Sequence, residues 1–157
     1  WTHALKNKRI LLISPFIITL EEQLPIRHLL YDNIDLFPNC QFILLKPPQT
    51  HADQQSREFG IEFEDFKNNV NEIIDKFDIA LVSCGGYANP ICSHIFSKGK
   101  SAIYVGGVLQ MYFGILGNRW LKERPDIVYL YHNEYWKRPK NNEKPINHKK
   151  IENGCYW

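Results

Sequence analysis

Short runs of apolar, often β-branched residues alternate with longer stretches in which apolar positions recur at helical spacing, the pattern of βαβ units around a parallel sheet. Residues 9–14 (RILLIS) read as a buried first strand, and 41–46 (QFILLK) as a second, ended by Pro47 and Pro48, neither of which can donate to a ladder. Between them Thr19 is placed to cap a helix, with Glu22 closing a capping box, and Pro25 makes that helix short or starts it near residue 24. Residues 49–56 are polar and aperiodic, hence a surface loop. Phe63, Phe66, Val70, Ile73, Ile74 and Phe77 then repeat at helical spacing as far as a third strand over 78–83. A helix over 89–98 follows, with Gly99 as its stop and a fourth strand over 101–105. Gly106 and Gly107 open a further helix carrying Val108, Leu109, Met111, Tyr112 and Ile115.

From residue 119 the pattern changes. Positions 119–157 hold nine Lys or Arg against five acids, a charge of +4, whereas 1–118 hold ten against twelve, a charge of −2. Three of the four tryptophans lie in this tail, with Tyr129, Tyr131, Tyr135 and Tyr156. Bases, prolines and aromatics without periodicity predict an extended wrap over the rim of the sheet, too aromatic to stay disordered. The fold class expected is α/β: a Rossmann-like three-layer sandwich with about four parallel strands and an extended aromatic, basic C-terminal tail. Its 157 residues are read as a single domain, 1–118 forming the body and 119–157 the tail. The only methionine is Met111, so the chain is expected to be part of a longer one.

Composition narrows the partners. A net charge of +2 is too small to make the whole chain a nucleic-acid or membrane-surface binder, and a body at −2 leaves only the tail as a nucleic-acid candidate. No apolar run approaches the ~18 residues of a membrane span. Cys40, Cys84, Cys92 and Cys155 match no zinc pattern and no dense disulfide framework, which points to thiols in a reducing cytoplasm. The histidines at 3, 28, 51, 94, 132 and 148 form no metal pattern. The acids around Glu62, Glu64 and Asp65, and around Asp32 and Asp35, read as solvated faces.

Ligands of open parallel sheets bind beyond the carboxyl ends of the strands. Four segments meet there: 14–16, 46–49, 83–87 and 106–110. Two carry a glycine pair ahead of a helix start, Gly85 with Gly86 and Gly106 with Gly107, where backbone N–H groups can approach an anion such as a nucleotide diphosphate. The same glycines would also serve simple strand-to-helix turns. Cys84 stands where a helix dipole could activate a thiol, yet His94 is ten positions away and no base is brought over it, so a small buried hydrophobe is the stronger reading. Tyr87 and Gln110 are placed either to contact a sugar or base or to cap and pack the rim. Arg119 could clamp phosphate bidentately or pin the tail through a salt bridge.

The blocks FDIALVSCGGY at 77–87, GKSAIYVGGVLQ at 99–110, FGILGNRW at 113–120, NEYW at 133–136, Arg138 with Pro139, and ENGCYW at 152–157 resemble an uncharacterised domain of bacterial surface-polysaccharide gene neighbourhoods. More distantly they are similar to the C-terminal half of GT-D type glycosyltransferases. The resemblance implies a nucleotide-sugar donor and transfer to a glycan or glycoprotein acceptor, and it carries over only the glycine loops; with the positions read above, the expected donor-binding residues are Cys84, Gly85, Gly86, Tyr87, Gly106, Gly107, Gln110 and Arg119. GT-D enzymes hold a divalent metal through an Asp-x-Glu element near their N-terminus. No matching element is found here, so a metal is expected only through residues outside this chain, and no cofactor is identified within it. The expected function is that of a glycosyltransferase, or of its nucleotide-sugar-binding half; the alternative is a non-catalytic domain that docks a partner through its tail.

Overall fold

A computed structural model describes residues 1–32 and 36–157. Part of the acidic stretch between Asp32 and Asp35 therefore lies outside the described residues. Four strands, β1 (Arg9–Ile13), β2 (Gln41–Leu45), β3 (Ile79–Val82) and β4 (Ser101–Tyr104), form one parallel sheet in the order β2-β1-β3-β4. β1 lies inside the sheet, its Leu11 paired with Ile43 on one side and Ala80 on the other. It is buried on both faces, which is why it reads as an unbroken apolar run rather than an alternating one.

Successive side chains of a strand point to opposite faces, and they divide the core in two. Ile10, Leu12 and Leu81 pack against α1 (Ile17–Gln23), α4 (Leu109–Tyr112) and the terminal Trp157. Leu11, Ile13, Ala80 and Val82 pack against α2 (Phe59–Asn71) and α3 (Ala88–Ser97) through Phe66, Val70, Ile91 and Ile95. The chain steps from β1 to β2 in one direction and onward to β3 and β4 in the other. Right-handed crossovers then require α1 on one face and α2 with α3 on the opposite one. The result is the Rossmann-like three-layer sandwich.

Several elements differ from their expected form. Thr19 does not cap α1: it lies inside the helix, whose first N–H groups are satisfied by a carboxylate distant in sequence. Glu143 is buried and accepts from Ile18 N (2.8 Å), Thr19 N (3.1 Å) and Lys140 N (3.1 Å), and from the Thr19 hydroxyl. α1 is short, ending at Gln23; Leu24 keeps helical dihedrals, and Pro25, which has no N–H to donate, stops the ladder. α2 ends at Asn71, and Phe77 follows in extended backbone instead of continuing the helix. The helix expected after Gly106 is a 3₁₀ turn followed by a single turn, α4.

The C-terminal segment wraps the body, but it also holds two short helices, α5 (Asn118–Glu123) and α6 (Pro125–Tyr131), the latter with proline in its first turn. Trp136 is buried against Leu30, Met111 and Leu116. Lys137 exchanges backbone bonds with Leu116 and Gly114, at 2.8 and 2.9 Å. The buried Gln23 amide donates to the carbonyls of Phe113 and Tyr135, at 3.1 and 3.0 Å. These contacts make the wrap part of the core. No described helix is long and apolar enough to cross a membrane.

Candidate functional site

Because α1 and α3 leave the sheet on opposite faces, the segments after β1 and β3 diverge and leave a crevice between them at the switch point. A cavity of about 380 Å³ occupies that place. Its floor is the carboxyl end of the sheet: Pro15 and Phe16 after β1, residues 47–51 after β2, residues 83–87 after β3, and Gly106 with Gly107 after β4. Phe59 at the start of α2 forms one wall, and Ile151, Glu152, Tyr156 and Trp157 of the C-terminal segment form another. A second cavity of about 390 Å³ opens at the amino end of the sheet, beside Lys6, Arg27, His28 and Tyr112. It has comparable volume but no glycine turn, and it lies opposite the end where such sheets bind ligands.

The two glycine pairs differ once folded. Gly85 adopts φ +55° and Gly106 φ +70°, so each first glycine answers to backbone conformation. The second glycines do not. A Cβ on Gly107 would stand 2.8 Å from Cε1 of Tyr156, so close packing explains that residue. A Cβ on Gly86 would meet nothing within 4 Å and needs no left-handed backbone. Neither conformation nor a protein neighbour accounts for Gly86, an exposed residue on the lining of the cavity. The Gly85–Tyr87 turn runs directly into α3, a helix of ten residues; the Tyr87 and Ala88 N–H groups bond back to the Cys84 and Gly85 carbonyls and Pro90 has no N–H, so this end offers an anion its dipole more than free donors. That end carries positive partial charge. α4 has only four residues and offers no comparable end.

The remaining expected site residues fall into two groups. Cys84 and Tyr87 line the cavity. Burial pushes the Cys84 thiol up to about 12, which leaves it a neutral small side chain rather than a nucleophile. Tyr87 shares a hydrogen bond with Thr50 (3.1 Å) and stacks on Phe59, with ring centroids 4.7 Å apart. Gln110 and Arg119 stand outside the lining. Gln110 is buried, its amide donating to the carbonyls of Ile115 (3.0 Å) and Tyr156 (3.4 Å). Arg119 pairs with Glu152, and its guanidinium lies 5.0 Å from the centre of the Tyr156 ring. Both hold the wall in place from behind. They do so because residues 152–157 return over the glycine turn, a contact that strand and helix periodicity do not encode.

Thr50, His51, Phe59, Glu152, Tyr156 and Trp157 were not singled out as site residues from the chain alone. Their signals were indirect: the proline-rich segment after the second strand and the aromatic closing block. His51 sits 6.0 Å from Trp157, and burial lowers its pKa, favouring the neutral imidazole. Glu152 is the single carboxylate among the lining residues, and Arg119 already engages it. No group of three His, Cys, Asp or Glu among the described residues could hold a metal ion. The cavity thus offers aromatic surface, the positive end of a helix, a neutral imidazole and one carboxylate. No protein-family model, curated protein or solved structure matches this chain.

Proposed function

We propose that this chain binds a nucleotide sugar and forms the donor-binding half of a glycosyltransferase that builds surface glycans. The observation that carries the reading is Gly86, a glycine with open space at its Cβ position that lines a cavity at the switch point of a Rossmann-like sheet. Phosphate placed there would meet the positive end of α3, as anions at helix N-termini do. The rings of Phe16, Phe59, Tyr156 and Trp157 supply the apolar lining on which a nucleoside packs. One carboxylate, already paired with an arginine, does not fit a divalent-metal site, so no metal-assisted step is assigned to this chain. Four unpaired thiols support a reducing, cytoplasmic setting.

Calorimetric titration with a panel of UDP-, GDP- and CMP-sugars at millimolar concentration tests the proposal. At least one class is expected to bind saturably, and Gly86→Val, whose side chain fills the floor, is expected to abolish that binding. A wild-type chain that binds none of the panel overturns the reading.

A docking role for the tail is the second reading, favoured by α6, where Tyr129 and Leu130 are 90% and 68% exposed. The partner it would take is a polypeptide that supplies the catalytic acid missing from this cavity. Tyr129→Ser with Leu130→Ser would then lose the partner and keep the nucleotide, whereas loss of both would contradict a separate docking face.

A further inference from the structure

Glu152 is held in an unusual way for an exposed side chain. It begins three successive residues in left-handed backbone, Glu152 at φ +43°, Asn153 at φ +54° and Gly154 at φ +73°. Such conformations are uncommon for residues with a side chain and persist where the surroundings impose them. Here the surroundings are specific. Arg119 and the Cys155 thiol both donate to Oε2 of Glu152, and Arg119 is itself fixed by its N–H bond to the Cys155 carbonyl (2.7 Å) and by the Tyr156 ring. Oε1 makes no hydrogen bond among the described residues, and Glu152 is one of the residues that line the cavity, as is Tyr156. One oxygen is anchored and the other is open, on a residue at the cavity's edge.

A carboxylate accepts hydrogen bonds and donates none, and it repels phosphate. Its natural partner in a ligand is a hydroxyl, and in a nucleotide sugar hydroxyls occur on the ribose and on the attached hexose. The positive end of α3 and Gly86 lie after β3, while Glu152 is tied through Arg119 to Tyr156, the ring that covers Gly107 after β4. The cavity therefore has two chemically opposite ends. Gly85 and Gly86 form the phosphate end, and the Gly106–Gly107 turn, shadowed by a carboxylate, does not.

We propose that Glu152 is the hydroxyl-reading residue of this cavity, accepting through Oε1 from sugar hydroxyls of a ligand whose phosphates rest on the Gly85–Gly86 turn. This rests on the nucleotide-sugar reading above. It also fixes the direction in which the ligand lies, which that reading leaves open.

The test is a set of titrations on the full chain and on Glu152→Gln, which keeps the shape and removes the charge. The probes are UDP and GDP, their deoxyribose forms, UDP-glucose, GDP-mannose and inorganic pyrophosphate. A hydrogen bond to a charged acceptor predicts a loss of about tenfold or more in Glu152→Gln for probes whose hydroxyls are read. Pyrophosphate affinity is expected to stay within about twofold of wild type or to rise, because a repelling charge is gone. If the ribose is read, wild type prefers the ribose over the deoxyribose forms and the variant does not. If the hexose is read, the lost preference is for the nucleotide sugars over UDP and GDP. A variant that keeps both preferences overturns the role of Glu152 while leaving the nucleotide reading intact. A wild type that binds no probe overturns both. Should Glu152→Gln fail to fold, the wild-type comparison decides: equal affinity across ribose, deoxyribose and hexose-bearing probes overturns the proposal.

Discussion

Two glycines one position into equivalent turns carry opposite expectations for substitution. Gly86→Ala places a methyl group in open space at an ordinary φ, so it should leave stability unchanged or raise it by about 0.4–1 kcal/mol through the unfolded chain. Gly107→Ala drives the methyl group against Tyr156 and should cost about 1–3 kcal/mol. Denaturant unfolding of the two variants checks the pair; equal destabilisation would show that Gly86 is packed after all. The glycine pairs themselves stood out in the sequence because of their neighbours, a strand before and a helix after. Which glycine is left open was hidden, since it depends on Tyr156, a residue nearly fifty positions away that returns to cover Gly107. Gln110 and Arg119 were drawn into the candidate site for the same reason: their distance from the glycines along the chain is short, but their partners come from 152–156.

Among the elements, the strands were legible because a strand buried on both faces is an uninterrupted apolar run bounded by turn residues. α2 and α3 were legible for their amphipathic spacing. α1 was legible as a short helix before Pro25, but its cap and start were not, and the cause is specific: its N-terminal cap is Glu143, 124 positions from Thr19, and no local signal announces it. Glu143→Ala should therefore destabilise the fold by about 3 kcal/mol, because it strands the N–H groups of Ile18, Thr19 and Lys140. Chemical denaturation measures this, and a change under about 1 kcal/mol would mean that water replaces the cap. β1 and β3 are joined at their starts by another long-range pair. Asp78 accepts from the Arg9 backbone N–H (2.8 Å) and guanidinium (2.7 Å), and these bonds hold its carboxyl at about 2. A carboxyl lowered in the folded state adds stability above its unfolded value of about 3.9 and loses it as pH falls toward the folded value. Denaturation midpoints of wild type and Asp78→Asn should accordingly converge between about pH 4 and pH 2; a constant gap down to pH 2 would contradict the pairing.

At the scale of the molecule, the C-terminal segment changes the meaning of the charge division in the sequence. The +4 tail is no appendage: it contributes Trp157 to the core, Glu143 to the cap of α1, and Glu152 and Tyr156 to a wall of the cavity. Cutting it away would remove the site together with any docking face, so surface substitutions on α6 are the way to separate the two roles. The central claim is that a nucleotide sugar binds at the carboxyl end of the sheet with phosphate on the Gly85–Gly86 turn. Backbone amide shifts during titration of the ¹⁵N-labelled chain with UDP- and GDP-sugars test it most directly. Binding there is expected to give saturable shifts concentrated at the amides of Gly85, Gly86 and Tyr87, with weaker ones in 151–157. Shifts centred instead on Arg27, His28 and Tyr112 at the opposite cavity, or none at saturating ligand, would contradict it.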